Sequence, residues 1–327
     1  MMLISLVVPV FNEQETVETF YHAARNDRFL KTKNVEIVFV NDGSADKTAS
    51  LIERLVAKDV NVRLINFSRN FGKEPALFCG LEHCRGDIVI PMDVDLQDPI
   101  ELIETMYHEW EGGAKIVLAK RADRSRDHWM KRVTANYFYK VHNALSHSKI
   151  EENVGDFRLM DRRVVDIIIS LQERNLFMKG LLSWPGFEPV IVKYKRPERC
   201  AGTTKFNTFK LLNLAIEGIT NFSTSPLKLA SYVGFGISFL SILYGIFIIM
   251  QKLLFSIDVP GYASLMTVMV FLGGVQLITI GILGEYVGRI YTEVKARPQY
   301  VIDSIQQSEQ GDSLQNGTPE TDAKPVG

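Results

Sequence analysis

Cysteine is scarce in this 327-residue chain, with only three residues. Cys79, Cys84 and Cys200 are odd in number and lack the paired spacing of a zinc site. That suits a reduced cytosolic domain better than a disulfide framework and leaves the thiols as expected core fillers. Net charge is nearly absent too. With 37 Lys and Arg against 38 Asp and Glu, no global field recruits a polyanion, so no nucleic-acid partner is expected. The apolar opening Met1 to Val10 lacks a basic leader and runs at once into Asn12, Glu13 and Glu15, so no secretory signal is expected and the N-terminus is assigned to the cytoplasm. Charge is missing altogether from two stretches, 229–251 and 259–284. Each is long enough for a bilayer, which takes about 20 apolar residues per span. Core helices of a soluble protein are the alternative, but these rarely run so long without a charge.

What is present divides the chain into parts. Residues 1–205 read as a catalytic-sized α/β domain, 206–228 as an amphipathic interfacial segment, and 229–290 as two membrane helices at about 229–251 and 262–284. Residues 291–327 read as a cytoplasmic tail, disordered from about 304, where Gln, Ser, Asp, Gly and Pro leave little to bury. Lys228 before the first span, and Arg289, Lys295 and Arg297 after the second, put both ends inside. Gly234, Gly236, Gly273 and Gly274 would let helices pack closely, so a homo-oligomer is allowed. In the first half, apolar runs at Ile4–Val10, Val35–Val40, Val62–Phe67 and Asp87–Met92 alternate with helical stretches from Glu13, Ala45 and Pro75. This is the pattern of a Rossmann-like, mainly parallel sheet covered by helices. Ligands of such sheets sit beyond the carboxyl ends of the strands.

Four strand-end loops carry the polar residues that chemistry needs. They are Pro9-Val10-Phe11-Asn12-Glu13, Asn41-Asp42-Gly43-Ser44, Arg69-Asn70-Phe71-Gly72-Lys73 and Asp93-Val94-Asp95-Leu96-Gln97-Asp98. Three are acidic and one basic, the mixture that a nucleotide diphosphate with a divalent cation requires. Asp93 and Asp95 follow a buried strand at i and i+2, where both carboxylates can face one Mg²⁺ or Mn²⁺. Asp-x-Asp by itself is common in solvated turns. Asn41 to Ser44 also reads as a turn, with Gly43 at positive φ and Ser44 or Asp46 capping the next helix.

In their order along the chain these motifs resemble family 2 glycosyltransferases of the GT-A fold. Val154-Gly155-Asp156-Phe157-Arg158-Leu159, Gly202-Thr203-Thr204-Lys205-Phe206 and the helical pair extend the likeness. Over about residues 3 to 300 the chain resembles the polyprenyl-phosphate glycosyltransferases, relatives of dolichyl-phosphate mannose synthase, and among them the bactoprenol glucosyltransferases. The resemblance implies an inverting transfer of one glucose from UDP-glucose to undecaprenyl phosphate, for O-antigen or other envelope glycans. By motif it implies that Pro9, Glu13 and Asp42 surround the uridine, Asp93 and Asp95 bind diphosphate and metal, and Gln97 holds metal or donor sugar. Lys73 and Arg121 are expected at the donor, Arg158 and Lys205 at the acceptor, and Asp95, Asp156 and Lys205 in catalysis. Asp156 either serves as base or orients a sugar hydroxyl, the plain alternative being a salt bridge to Arg158. The Gln-x-x-Arg-Trp motif of processive relatives is absent; Leu182-Ser183-Trp184 lacks its Gln and Arg.

Basic runs, Lys120 to Arg132 and Lys193 to Lys205, stand where anionic headgroups and a lipid phosphate would lie. A flippase and a downstream glycosyltransferase are the expected partners of the lipid product. Another nucleotide sugar, such as an amino-arabinose or N-acetylhexosamine donor, is the alternative within the class. A membrane scaffold or a flippase component is the alternative outside it.

Overall fold

The computed structural model describes residues 2–121, 154–171, 173, 178–194, 225–255 and 261–308. Lys205, the basic residues from Arg124 to Arg132 and from Lys195 to Arg199, the segment Phe206–Phe222 and Cys200 lie outside them, as does the chain after 308. The first strands are β1 (Leu3–Val10), β2 (Asn34–Asn41), β3 (Val62–Phe67) and β4 (Ile88–Pro91). Between them run α1 (Val17–Asn26), α2 (Thr48–Lys58) and α3 (Lys73–His83), and α4 (Leu102–Glu111) follows. The domain continues through β5 (Ile116–Arg121), β6 (Val154–Asp161), α5 (Arg162–Ser170), the single turn α6 (Met178–Leu181) and β7 (Val190–Tyr194). Two long helices, α7 (Ser225–Phe255) and α8 (Tyr262–Lys295), precede a last strand, β8 (Ile302–Gln307).

All eight strands join one sheet in the order β7-β5-β6-β4-β1-β2-β3-β8. The segment β4-β1-β2-β3 is parallel throughout, and β7 is parallel to β5. β6 runs antiparallel to β4 and β5, and β8 antiparallel to β3. Because side chains alternate across a strand, β1 feeds two cores. Ile4, Leu6 and Val8 meet Phe20, Ile52 and Ile103 on the face of α1, α2 and α4. Val7, with Val38 and Ile65, meets Leu77, Leu81 and Val165 on the face of α3 and α5. Burying each large side chain contributes about 1.5–3 kcal/mol, and truncating one such as Leu6 to alanine costs about 2–5 kcal/mol. On the second face, Gly80 lets α3 lie directly on β1, since a Cβ there would stand 2.3 Å from Val7 Cγ1. This close packing aims the first residue of α3, Lys73, across the strand ends.

The structure changes three expectations. Strand β8 runs to Gln307, so the tail expected to be disordered from about 304 is ordered over its first residues. Its polar composition hides an edge strand, which needs burial on one side only. The sheet therefore draws on residues beyond 205, and the catalytic domain closes with chain from after the second long helix. Helices α7 and α8 also outrun the expected spans, at 31 and 34 residues. At 1.5 Å per residue each is longer than the ~30 Å hydrocarbon core. Their apolar side chains are exposed, among them Phe235, Leu240, Leu277 and Ile278. Both helices are long and apolar enough to cross a membrane.

Candidate active site

The site is assembled at the carboxyl ends of β1 to β4 by loops bound to one another. Asn12, held at φ 54°, donates its N–H to Ser44 Oγ (2.9 Å) and accepts the N–H of Ala45 on Oδ1 (2.9 Å). The Glu13 N–H reaches Thr48 Oγ1 at 2.8 Å. These bonds sew the first loop to the second. Neither expected residue occupies the cap of α2: the N-cap position is Lys47, which makes no side-chain cap bond, while Ser44 is committed to Asn12 and Asp46 accepts the N–H of Thr48 at 2.9 Å. Gly43 adopts φ +68°, and a Cβ on it would lie 2.5 Å from the carbonyl carbon of Arg69. Only glycine allows the second and third loops to touch here.

Asp42 forms the next link, accepting the N–H groups of Phe71 (2.6 Å) and Gly72 (2.9 Å) on its two carboxylate oxygens. Burial raises its pKa above the ordinary value, partly offset by those two N–H groups and by Arg69. Lys73 closes the circuit. Its Nζ lies 2.6 Å from Asp93 Oδ1 and 2.8 Å from Asp156 Oδ2. Burial pulls the ammonium pKa down, but the Asp156 and Asp93 carboxylates outweigh it and hold the group above the usual lysine value. Lys73 is thus cationic at neutral pH, an ion bridging the metal motif and the β6 motif.

A cavity of about 330 Å³ lies within this ring, lined by Pro9, Glu13, Asp42, Lys73, Asp93 and Asp95 among others. Six residues expected at the donor therefore face one space. Gln97 is buried at 3% exposure, and its N–H donates to Asp95 Oδ1 at 3.2 Å. Gln97 Oε1 has no hydrogen-bond partner among the described residues. Asp156 Oδ2 pairs with Lys73 Nζ at 2.8 Å, and its charge also acts on Arg158. Arg158, two residues along the same face of β6, is 4% exposed and donates from Nη2 to Gly155 O at 2.9 Å. Burial pushes its pKa down to about 10, with Asp156 working in the opposite direction. Arg121 ends β5 opposite Tyr194.

The stitching residues Asn12, Ser44 and Thr48, and the cavity-lining Phe11 and Asn70, were not singled out for these roles by sequence reasoning. Nor was the double bridge of Lys73 foreseen. Turn-forming residue types at 12 and 44 were the available signal, and pairing across 32 positions is not local information. Among the described residues, no three or more His, Cys, Asp or Glu side chains are placed so that together they could hold a metal ion. Asp93 and Asp95 are the carboxylates of the motif that the cavity receives.

Parallel strands ending in acidic loops, crossed by a basic one, are the arrangement that a GT-A glycosyltransferase domain is expected to show. The model for glycosyl transferase family 2 matches residues 5–168, and that for the GtrB C-terminal hairpin matches residues 225–290. Bactoprenol glucosyl transferase of Shigella phage SfV is 58% identical over 94% of this chain and 100% of its own length. The prophage bactoprenol glucosyl transferase homolog of Escherichia coli K12 is 56% identical, over 93% and 99%. Among solved structures, glucosyl-3-phosphoglycerate synthase of Mycobacterium tuberculosis, in complex with Mn²⁺ and UDP-glucose, aligns over 67% of this chain and 77% of its own at 20% identity, with a TM-score of 0.44. The chain belongs to glycosyltransferase family 2 and carries the C-terminal hairpin of its bactoprenol-glucosylating relatives.

Proposed function

We propose that this enzyme transfers a single glucose, with inversion, from UDP-glucose to undecaprenyl phosphate at the cytoplasmic face of the bacterial inner membrane. The observation that carries the reading is the convergence of Glu13, Asp42, Lys73, Asp93 and Asp95 on one cavity, in a chain 58% identical to bactoprenol glucosyl transferases over nearly its whole length. In this reading Pro9, Glu13 and Asp42 hold the uridine. Asp93 and Asp95 hold the diphosphate through Mg²⁺ or Mn²⁺. Two carboxylates suit such a cation, because Mg²⁺ commonly takes one or two from the protein and fills its shell with water and substrate phosphate. The bound cation would stabilise negative charge on the departing UDP.

The residues of the chain do the rest. Lys73 is a cation at the diphosphate, and its bridge ties Asp156 of β6 to Asp93 at the cavity before substrate arrives. Asp156 orients a sugar hydroxyl or receives a proton. The acceptor, a phosphate monoester, is already anionic at neutral pH, so no strong base is needed and positioning accounts for most of the rate. Lys205 and Arg158 are assigned to its phosphate, and Arg121 to the donor.

The membrane assignment rests on α7 and α8. Strand β8, after the second helix, pairs with β3, before the first, and this favours a hairpin with both ends on the cytoplasmic side. Positive charge at Arg289, Lys295 and Arg297 favours the same orientation. The lipid-linked glucose then requires a flippase and a second transferase to reach its glycan, and the small residues of the two helices allow a homo-oligomer.

The test is transfer of radiolabel from a panel of UDP-sugars to undecaprenyl phosphate by purified enzyme with Mg²⁺, beside an Asp95→Ala sample. Metal-dependent glycolipid from UDP-glucose, lost in the variant, is the expected result. Product from a different donor would reject the sugar, and no product from any donor, beside an active relative, would reject the transferase reading.

A further inference from the structure

The last described strand and the residues leading into it reach the donor loops by two routes, although the strand lies at the edge of the sheet after the second long helix. The first route is aromatic. Tyr300 stacks on Phe67, with ring centroids 4.9 Å apart and planes at 10°. Phe67 meets Phe71 edge-on at 5.7 Å, and Phe71 donates its N–H to Asp42. The Tyr300 hydroxyl also donates to Glu82 of α3. Phe67 precedes the basic third loop and α3 follows it, so one side chain grips both anchors of the loop that presents Lys73.

The second route is a chain of amides. Asn66 Nδ2 donates to Ser304 Oγ (3.1 Å), and Asn41 Nδ2 donates to Asn66 Oδ1 (2.9 Å). Asn41 Oδ1 in turn accepts the N–H of Ser44 (3.1 Å), beside Asp42 and Gly43. The pairing of β3 with β8 is irregular between Asn66 and Phe67, where Asn66 faces Ser304 and Phe67 faces Ile302. An extra residue at that point, Asp303, re-aims the strand, a device common beside active sites. The Ser68 N–H to Val301 O bond (3.0 Å) continues the pairing past the irregularity.

We propose that β8 and the segment leading into it are a positioning element of the donor site, with Tyr300, just before the strand, and Ser304, within it, as positioning residues that hold the second and third loops in their nucleotide-binding geometry. Neither residue touches the cavity. Tyr300 acts through Phe67, Phe71 and α3, and Ser304 acts through Asn66 and Asn41. Since the strand leaves α8 after only Ala296 to Val301, the seating of the hairpin and the affinity for the nucleotide are linked through it. This rests on the cavity being the donor site.

The test uses the full-length enzyme in detergent or nanodiscs, with UDP affinity measured by calorimetry and KM determined separately for UDP-glucose and undecaprenyl phosphate. Tyr300→Ala is expected to weaken UDP binding and raise the UDP-glucose KM about 3- to 10-fold, the range of an aromatic pair. KM for the lipid stays within about twofold by the same argument, because the acceptor groups are not in either route. Tyr300→Phe keeps the stack and restores most of the affinity. Ser304→Ala, a mild change that preserves the fold, weakens UDP about 2- to 5-fold, the worth of one hydrogen bond. Unchanged UDP affinity in both Tyr300→Ala and Ser304→Ala overturns the proposal and leaves β8 as edge cover. Equal weakening of donor and lipid overturns it as well. A wild-type enzyme that binds no UDP overturns the donor-site reading together with this one, so the two failures are distinct.

Discussion

Replacing Gly43 by alanine isolates how much of the donor site depends on two loops touching. Two costs arise. The first is backbone conformation, since φ is +68° and an L-residue held there loses about 1 kcal/mol relative to glycine. The second is steric. The new Cβ would stand 2.5 Å from Arg69 C, 2.6 Å from Asn70 N and 2.9 Å from Arg69 Cα, all backbone atoms, where ordinary contacts begin at 3.4 Å. The third loop must therefore retreat by about 1 Å, carrying the N–H groups of Phe71 and Gly72 away from Asp42. Misplacement on that scale costs about 10²-fold in rate. Gly43→Ala should lower kcat/KM for UDP-glucose about 100-fold and lower stability by about 2–4 kcal/mol. Gly113→Ala is the control: its φ is +108°, yet a Cβ there meets nothing within 4 Å. It should lose stability without losing UDP affinity. UDP binding in Gly43→Ala within twofold of wild type, with a thermal shift no larger than that of Gly113→Ala, would refute the reasoning.

Three more outcomes follow from the same coordinates. Lys73→Met should reduce stability by less than about 1 kcal/mol, because the side chain is half exposed and its ion pairs are screened. Its kcat/KM for UDP-glucose should nevertheless fall about 10- to 150-fold, the worth of one charged hydrogen bond, in steady-state assays. Asp161 accepts from Trp110 Nε1 (2.9 Å), Lys115 Nζ (3.0 Å) and the N–H of Arg163 (3.1 Å). Burial raises its pKa, but these donors outweigh it and leave the folded value below the ordinary carboxylate range. Its contribution is therefore fully present above the unfolded carboxylate pKa of about 4 and is lost as pH falls through the lower folded value. The melting difference between wild type and Asp161→Asn should shrink on acidification over that window. Burial pushes the thiols of Cys79 and Cys84 up to about 12 and about 11. Iodoacetamide near neutral pH should leave both unlabelled in the folded enzyme and modify both in denaturant, as read by peptide mass spectrometry.

Buried parallel strands were legible in the sequence almost to the residue, because an apolar run bounded by polar loops has few other uses. Val62–Phe67 is identical in both descriptions, β1 gains one residue at its start, and β2 gains one at each end. Helix starts were less legible. The stretch from Glu13 begins as a helix only at Val17, since the backbone N–H groups at 12 to 14 are spent on the second loop. The later strands were not separately foreseen: β6 was noticed as a motif, and its pairing with both β4 and β5 is a long-range fact. β8 is the clearest loss, for Ile-Asp-Ser-Ile-Gln-Gln reads as polar chain until β3 is there to receive it. Site residues were legible as types at strand ends. What they touch was not, since the partners of Lys73 lie 20 and 83 positions away.

Strand β8 also sets an order of events during synthesis. Asn66 waits 238 positions for Ser304, so the ribosome must make both long helices before the open edge of β3 can be closed. At 5–20 residues per second that interval is roughly 10–50 s. Through it the nascent domain shows an unpaired strand to its surroundings, a state prone to aggregation. Delivery of the helices to the bilayer and completion of the enzyme are thereby one sequence, and a chain arrested before residue 300 should remain more sensitive to protease than the finished protein.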